Sequence, residues 1–171
     1  MKFIGILGST GSVGQQALDI VKEHPKKFKV KFLACDSNIN ELIKQLVLFK
    51  PNYVSINKSE AKQELKQFIN SRNMDCQVLS LKDLIHKVKV DIVLNAISGY
   101  QGLEPTIEII KTGTDIALSN KESIVQAGHI VIELAKKYNV NIFPVDSEHS
   151  AIWQCLVGED KNNIKRLILT A

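Results

Sequence analysis

Apolar runs and polar, helix-like segments alternate along almost the whole chain. Residues 2–7, with Phe3, Ile4, Ile6 and Leu7, read as a first strand, and a helix follows over about 12–24. Val30 to Cys35 reads as a second strand, and a helix over about 40–49 stops before Pro51. Tyr53 to Ile56 is a short strand, followed by a helix that Ser59 would cap and that runs to about Asn70. A brief Gln77-Val78-Leu79 run precedes a short helix over 81–87, and Asp91 to Ala96 reads as a central buried strand. Helices near 104–112 and 121–138 flank a strand from Asp115 to Leu118, and residues 140–145 form the next strand. Such alternation predicts an α/β fold: a doubly wound, mostly parallel sheet with helices on both faces. Lys165 to Ala171 has the pattern of a core strand, at which the sequence stops. A buried strand in that place suggests a fragment, and is equally open to being a natural last strand.

Composition narrows the function classes. At 171 residues the chain can enclose one real core and is marginal for two. Its net charge of +4 comes from lysines spread among glutamates, with only two arginines, Arg72 and Arg166, and no interleaving of basic and aromatic residues. That is a solvated surface rather than a nucleic-acid interface. Cys35, Cys76 and Cys155 are far apart, so neither a disulfide framework nor a structural zinc site is expected. No apolar stretch approaches the length of a membrane helix, and no leader precedes the first strand, so the expected setting is cytoplasmic, without membrane partners.

Gly8-Ser9-Thr10-Gly11-Ser12-Val13-Gly14 follows a strand and opens a helix. Glycines let the backbone turn and approach a ligand, and the free N–H groups of a helix start favour an anion, so this is the expected phosphate site of a dinucleotide. The second strand should end near the adenosine ribose, where the chain reads Cys35-Asp36-Ser37-Asn38. An acid there favours a free ribose hydroxyl, as in NAD, but Asp36 is equally readable as a turn residue or as the cap of the next helix.

Two further blocks carry chemistry: Ser119-Asn120-Lys121-Glu122-Ser123, and Pro144 to Ile152 with its Asp146-Ser147-Glu148-His149-Ser150 core. In extended backbone, Asp146 and Glu148 point to one side, and two carboxylates there suit a hard divalent cation; the same residues also form an ordinary capping pattern. Asn120 can cap the helix over 121–138, and Lys121 at a strand-to-helix junction can neutralise substrate oxygens; both can hold at once. His149 is read as a structural hydrogen-bonding residue rather than a base, and Trp153 as core rather than a stacking platform.

With the glycine loop, these blocks resemble 1-deoxy-D-xylulose 5-phosphate reductoisomerases, from about residue 3 to the last residue. The resemblance implies a Rossmann-like NADPH-binding domain over 1–145 and the start of a catalytic domain over 146–171. It implies that 1-deoxy-D-xylulose 5-phosphate is rearranged and reduced to 2-C-methyl-D-erythritol 4-phosphate, in non-mevalonate isoprenoid biosynthesis, with NADPH and Mg²⁺, Mn²⁺ or Co²⁺. By resemblance, Thr10, Gly11, Ser12 and Val13 contact the cofactor phosphates, Asn38 lies near the ribose, and Asn120 and Glu122 lie near the nicotinamide. Lys121 and Ser147 would touch this phosphosugar substrate, Asp146 would bind metal, and Glu148 would do both, with Lys121 and Glu148 as the catalytic pair. A homodimer is implied for the full-length protein. Two departures stand out. Asp36-Ser37 replaces the Gly-Lys that the family often carries before the asparagine. The third carboxylate ligand, the lid and the substrate-phosphate pocket belong to later sequence. The alternatives are another Gly-x-x-Gly-x-x-Gly reductase, such as a semialdehyde dehydrogenase using Cys155, or a dinucleotide-binding module without chemistry.

Overall fold

A computed structural model describes residues 1–168. Seven strands, β1 (Lys2–Leu7), β2 (Phe28–Cys35), β3 (Tyr53–Ile56), β4 (Gln77–Val78), β5 (Ile92–Asn95), β6 (Asp115–Leu118) and β7 (Ile142–Pro144), form one sheet in the order β4-β3-β2-β1-β5-β6-β7. Every neighbouring pair is parallel. The chain winds outward from β1 through β4, returns to the other side of β1 at β5, and continues through β7. The direction therefore reverses between β1 and β5, and in such sheets the crevice at that reversal is where a ligand sits.

Helices α1 (Ser12–Glu23), α2 (Ile39–Phe49) and α3 (Ser59–Ser71) cover one face. Leu18, Val21, Leu42, Leu46, Leu65 and Ile69 pack there against Ile6, Leu33, Val54 and Leu94. Helices α4 (Leu81–Lys87), α5 (Leu103–Lys111) and α6 (Lys121–Tyr138) cover the other face, with Leu84, Ile109, Ile110 and Val131 on Leu7, Phe32, Val93 and Ile116. Successive residues such as Ile6 and Leu7 enter opposite cores, as the two-residue period of a strand requires. That is why the buried stretches of the central strands, such as Ile6-Leu7 and Phe32 to Cys35, are apolar at consecutive positions.

Three local expectations are corrected. Ser59 does not cap α3: the cap position is Lys58, whose extended backbone is pinned by its N–H to the Asp36 carbonyl at 3.1 Å, so Ser59 is already inside the helix. Trp153 is not core. It is 46% exposed on α7 (Ser147–Leu156), a helix with no buried residue, and meets Phe143 edge-on at 6.5 Å. Residues 165–168 are not strand, and the rest of the strand expected over 165–171 lies outside the described residues. No helix among the described residues is long and apolar enough to cross a membrane.

Candidate functional site

The parallel registers align Ser55, Ala34, Leu7, Asn95, Leu118 and Pro144 in one row across six strands. Each candidate segment begins just beyond that row, at the carboxyl edge. Gly8 follows Leu7, Asn120 stands two residues past Leu118, and Asp146 stands two residues past Pro144. Backbone bonds carry the ladder past the row, with Gly8 N–H on the Ala34 carbonyl at 2.9 Å and Val145 N–H on the Leu118 carbonyl at 3.0 Å. The glycine loop and the acid pair thus share one edge, three strand spacings or roughly 14 Å apart.

Gly8 turns the chain out of β1 with φ +76°, and a Cβ there would stand 2.5 Å from the Ala96 carbonyl oxygen. Only glycine meets both demands. Gly11 occupies the cap position of α1 without a side-chain cap, and the first intrahelical bond runs from Gln15 N–H to the Gly11 carbonyl. The N–H groups of Ser12, Val13 and Gly14 therefore have no partner within the helix and face outward at its positive end. This is an anion cradle built from backbone.

Buried Gln45 of α2 holds the loop from behind, its Nε2 donating to the Ser9 carbonyl at 2.8 Å. Asn38 caps α2 by accepting the Glu41 N–H at 3.2 Å. Asp36 is exposed, and its Oδ1 accepts from Asn57 Nδ2 at 2.9 Å, which makes it a turn residue rather than the cap.

The loop after β5 is secured by two buried asparagines. Asn95 Nδ2 donates to the Gly102 carbonyl and to Thr106 Oγ1, each at 2.9 Å, and its Oδ1 accepts the Ile97 N–H at 3.2 Å. Asn120 caps α6 by accepting the Ser123 N–H at 2.9 Å, as its sequence position suggested. Gln45 and Asn95 have no role in the sequence reading; the available signal was a polar residue inside an otherwise apolar stretch.

Lys121 follows that cap and points its ammonium at both acids, 3.5 Å from Asp146 Oδ2 and 3.6 Å from Glu148 Oε1. The acids converge for a different reason than expected. Asp146 sits at the cap position of α7 while Ser147 and Glu148 begin the helix, so the backbone is extended only up to Asp146. Asp146 is nearly buried, its side chain 10% exposed. Its Oδ1 lies 3.3 Å from His149 Nδ1 yet accepts no well-formed hydrogen bond. His149 thus stands beside the acid without the hydrogen bond that the structural reading expected of it. Ser147 Oγ donates to Glu148 Oε2 at 2.8 Å. That hydroxyl first, then the helix-start N–H of Glu148 and the Lys121 charge, hold the Glu148 carboxyl down to about 2. Asp146 and then Glu148 raise Lys121 above the usual lysine value.

These residues fit a cation. A positive nitrogen already faces both carboxylates, and an Asp146 oxygen remains buried without a donor. They do not complete a site: among the described residues no group of three or more His, Cys, Asp or Glu side chains is assembled for a metal. The free amides at α1 fit the phosphates of a dinucleotide in the same way.

The sequence model of 1-deoxy-D-xylulose 5-phosphate reductoisomerase matches residues 4–128, and that of the C-terminal domain of the same enzymes matches residues 142–171. The chain belongs to the 1-deoxy-D-xylulose 5-phosphate reductoisomerase family. It is 46% identical over 175 residues to the reductoisomerase of Lachnospira eligens and 45% identical to that of Bacillus subtilis, covering all of this chain and 45% of each relative. It thus spans a little under half the length of the curated relatives it matches. A solved reductoisomerase in complex with NADPH, fosmidomycin and magnesium superposes with a TM-score of 0.86 at 35% identity, over 91% of this chain and 39% of that one. The Zymomonas mobilis reductoisomerase in complex with NADPH gives 0.84 at 28% identity, over 90% of this chain and 41% of that one. Membership in the reductoisomerase family displaces the semialdehyde dehydrogenase alternative, and Cys155 is an exposed residue in the last turns of α7.

Proposed function

We propose that the protein carrying this chain is an NADPH- and divalent-metal-dependent reductoisomerase. It would convert 1-deoxy-D-xylulose 5-phosphate to 2-C-methyl-D-erythritol 4-phosphate in isoprenoid biosynthesis, with residues 1–145 as cofactor domain and 146–171 opening the catalytic domain. One observation supports this reading most: the Lys121 ammonium lies 3.5 Å from Asp146 and 3.6 Å from Glu148, at the edge of the sheet that also bears the glycine loop.

Bound at these places, NADPH supplies a hydride and a divalent cation supplies Lewis acidity toward the oxygens of a keto-sugar. The chain's own residues bind and orient. Thr10, Gly11, Ser12 and Val13 offer backbone and hydroxyl donors to the cofactor phosphates, and Asn38 stands at the ribose end of β2. Asp146 and Glu148 hold the cation. Before the cation binds, the Ser147 hydroxyl holds the Glu148 carboxyl well below the usual carboxylate range, so it would meet the cation ionised. Lys121, which pairs with both acids here, would be free to compensate charge on the substrate oxygens once those acids held a cation. Ser147 turns its hydroxyl from Glu148 to the substrate, and Glu122 borders the nicotinamide end. A further ligand and the substrate-phosphate pocket come from sequence beyond residue 171.

The test is Asp146→Asn in the full-length protein, with turnover measured against Mn²⁺ concentration. We expect metal-dependent turnover to collapse and the Mn²⁺ requirement to rise. Unchanged turnover would overturn the assignment.

A further inference from the structure

Asn120 is 2% exposed, and every hydrogen-bonding position of its carboxamide is taken by the protein. Its Oδ1 accepts from both the N–H and the hydroxyl of Ser123. Its Nδ2 donates to the Ile97 carbonyl at 2.6 Å and to the Gly99 carbonyl at 2.7 Å. One side chain therefore caps α6 and fastens the loop that follows β5.

The neighbouring residues make the same connection. Glu122 Oε1 accepts the Gly99 N–H at 3.2 Å, so Gly99 is held by its carbonyl to Asn120 and by its N–H to Glu122. The loop starts at Ala96, whose carbonyl abuts Gly8, and so lies beside the glycine loop at the reversal of the sheet. Gly102 closes the loop in ordinary right-handed backbone, φ −75°, but a Cβ there would stand 2.6 Å from Asn120 Cγ. Glycine is needed at 102 to make room for Asn120, not to make a turn. Finally, α6 is not continuous. Ala127 departs from helical geometry at φ −145° and ψ 32°, which separates the segment bearing Lys121 and Glu122 from the rest of the helix. The ties through Asn120 and Glu122 hold that segment at its other end.

We propose that Asn120 is a positioning residue: its side chain makes no contact with cofactor, and instead fixes the loop 97–102 and the start of α6 against each other, setting where Lys121 and Glu122 stand. A cofactor contact at this position is left to the backbone. The consequence for catalysis rests on the reductoisomerase reading, whereas the structural linkage does not.

The discriminating variant is Asn120→Asp in the full-length protein. Aspartate caps a helix as well as asparagine does, so the Ser123 bonds survive, but a carboxylate replaces the two donors to Ile97 and Gly99. Without cofactor, we expect the amides of Ile97 and Gly99 to exchange with deuterium on the order of tenfold faster, with the first turn of α6 unchanged. We also expect NADPH to bind several-fold more weakly, while 2′-phospho-ADP-ribose, which lacks the nicotinamide half, binds as to the wild type. Wild-type exchange at 97–102 would mean that Asn120 is only a cap. Unchanged exchange without cofactor, combined with loss of protection only in the NADPH complex, would mean that its side chain is a ligand. Either result overturns the proposal. Gly102→Ala displaces the Asn120 side chain without changing its chemistry and must loosen the same amides, so the test survives if Asn120→Asp does not fold. If wild-type protein binds no NADPH, the reductoisomerase reading fails while the exchange pattern still decides the role of Asn120.

Discussion

The Lys121 ammonium lies 3.5 Å from Asp146 and 3.6 Å from Glu148, on the edge of the sheet where the glycine loop begins. Two carboxylates facing each other repel, and a lysine half exposed to water is an inexpensive counter-ion that a metal can replace.

Lys121 should therefore compete with metal. In Lys121→Met, with no substrate present, we expect Mn²⁺ to bind roughly three- to tenfold more tightly, because the acids lose their internal cation. Electron paramagnetic resonance of free Mn²⁺ measures this directly. Equal or weaker binding would show that the lysine does not occupy the cation position.

The Glu148 carboxyl should titrate near 2, chiefly because the Ser147 hydroxyl bonds to its charged form. A carboxyl lowered on folding adds stability that is present above its unfolded value and is lost as pH falls toward its folded one. The window is thus from about 4.5 down to about 2. At the other end, Lys121 is raised, so its contribution holds below 10.5 and is lost as pH rises beyond it. Carbon-13 titration of the Glu148 carboxyl checks the first claim, and Lys121→Met should move the midpoint upward. A wild-type midpoint in the ordinary glutamate range would contradict it.

Gln45→Leu removes the donor to the Ser9 carbonyl inside a buried region where Ser9 Oγ and Gln45 Oε1 already lack protein partners. Leaving that carbonyl unpaired should cost about 1–3 kcal/mol in denaturant unfolding and weaken NADPH binding by loosening the phosphate loop. A loss below about 0.5 kcal/mol would mean that the loop holds its own shape.

Thiol labelling should follow burial. Exposed Cys155 should react first with iodoacetamide at pH 8, while burial pushes Cys35 up to about 11 and Cys76 up to about 12. Because Cys35 is raised on folding, the folded state should lose stability as pH climbs from 9 toward 11, where the unfolded thiol ionises first. Labelling of Cys35 as fast as Cys155 in native protein would contradict this ordering.

Much of the fold was legible because the buried stretches of parallel strands are largely apolar on both faces, as in Ile6-Leu7 of β1, Phe32 to Cys35 of β2 and Val93-Leu94 of β5, while Lys29 and Lys31 mark only the less buried start of β2. Level strand ends follow from the same pattern, and they bring Gly8, Asn120 and Asp146 to one edge. What the sequence hid depended on tertiary partners. Nothing local marks Gln45 as the support of Ser9, or shows that Asn120 bonds to Ile97 and Gly99, residues 23 and 21 positions away. Trp153 misled for the opposite reason: its apolar neighbours lie on a helix that this sheet does not bury. Asp146 and Glu148 do face one lysine, but through the start of α7 and not through the extended backbone that their spacing assumed.

The central claim is that cation and hydride donor share one site on this edge. It is tested most directly by the paramagnetic relaxation that Mn²⁺, bound at Asp146 and Glu148, imposes on the protons of NADPH in the full-length protein. The nicotinamide protons should lie within about two strand spacings of the metal, roughly 10 Å, and the adenine protons near β2 about four spacings away, roughly 19 Å. Relaxation of the adenine protons alone, or of neither group, would contradict it.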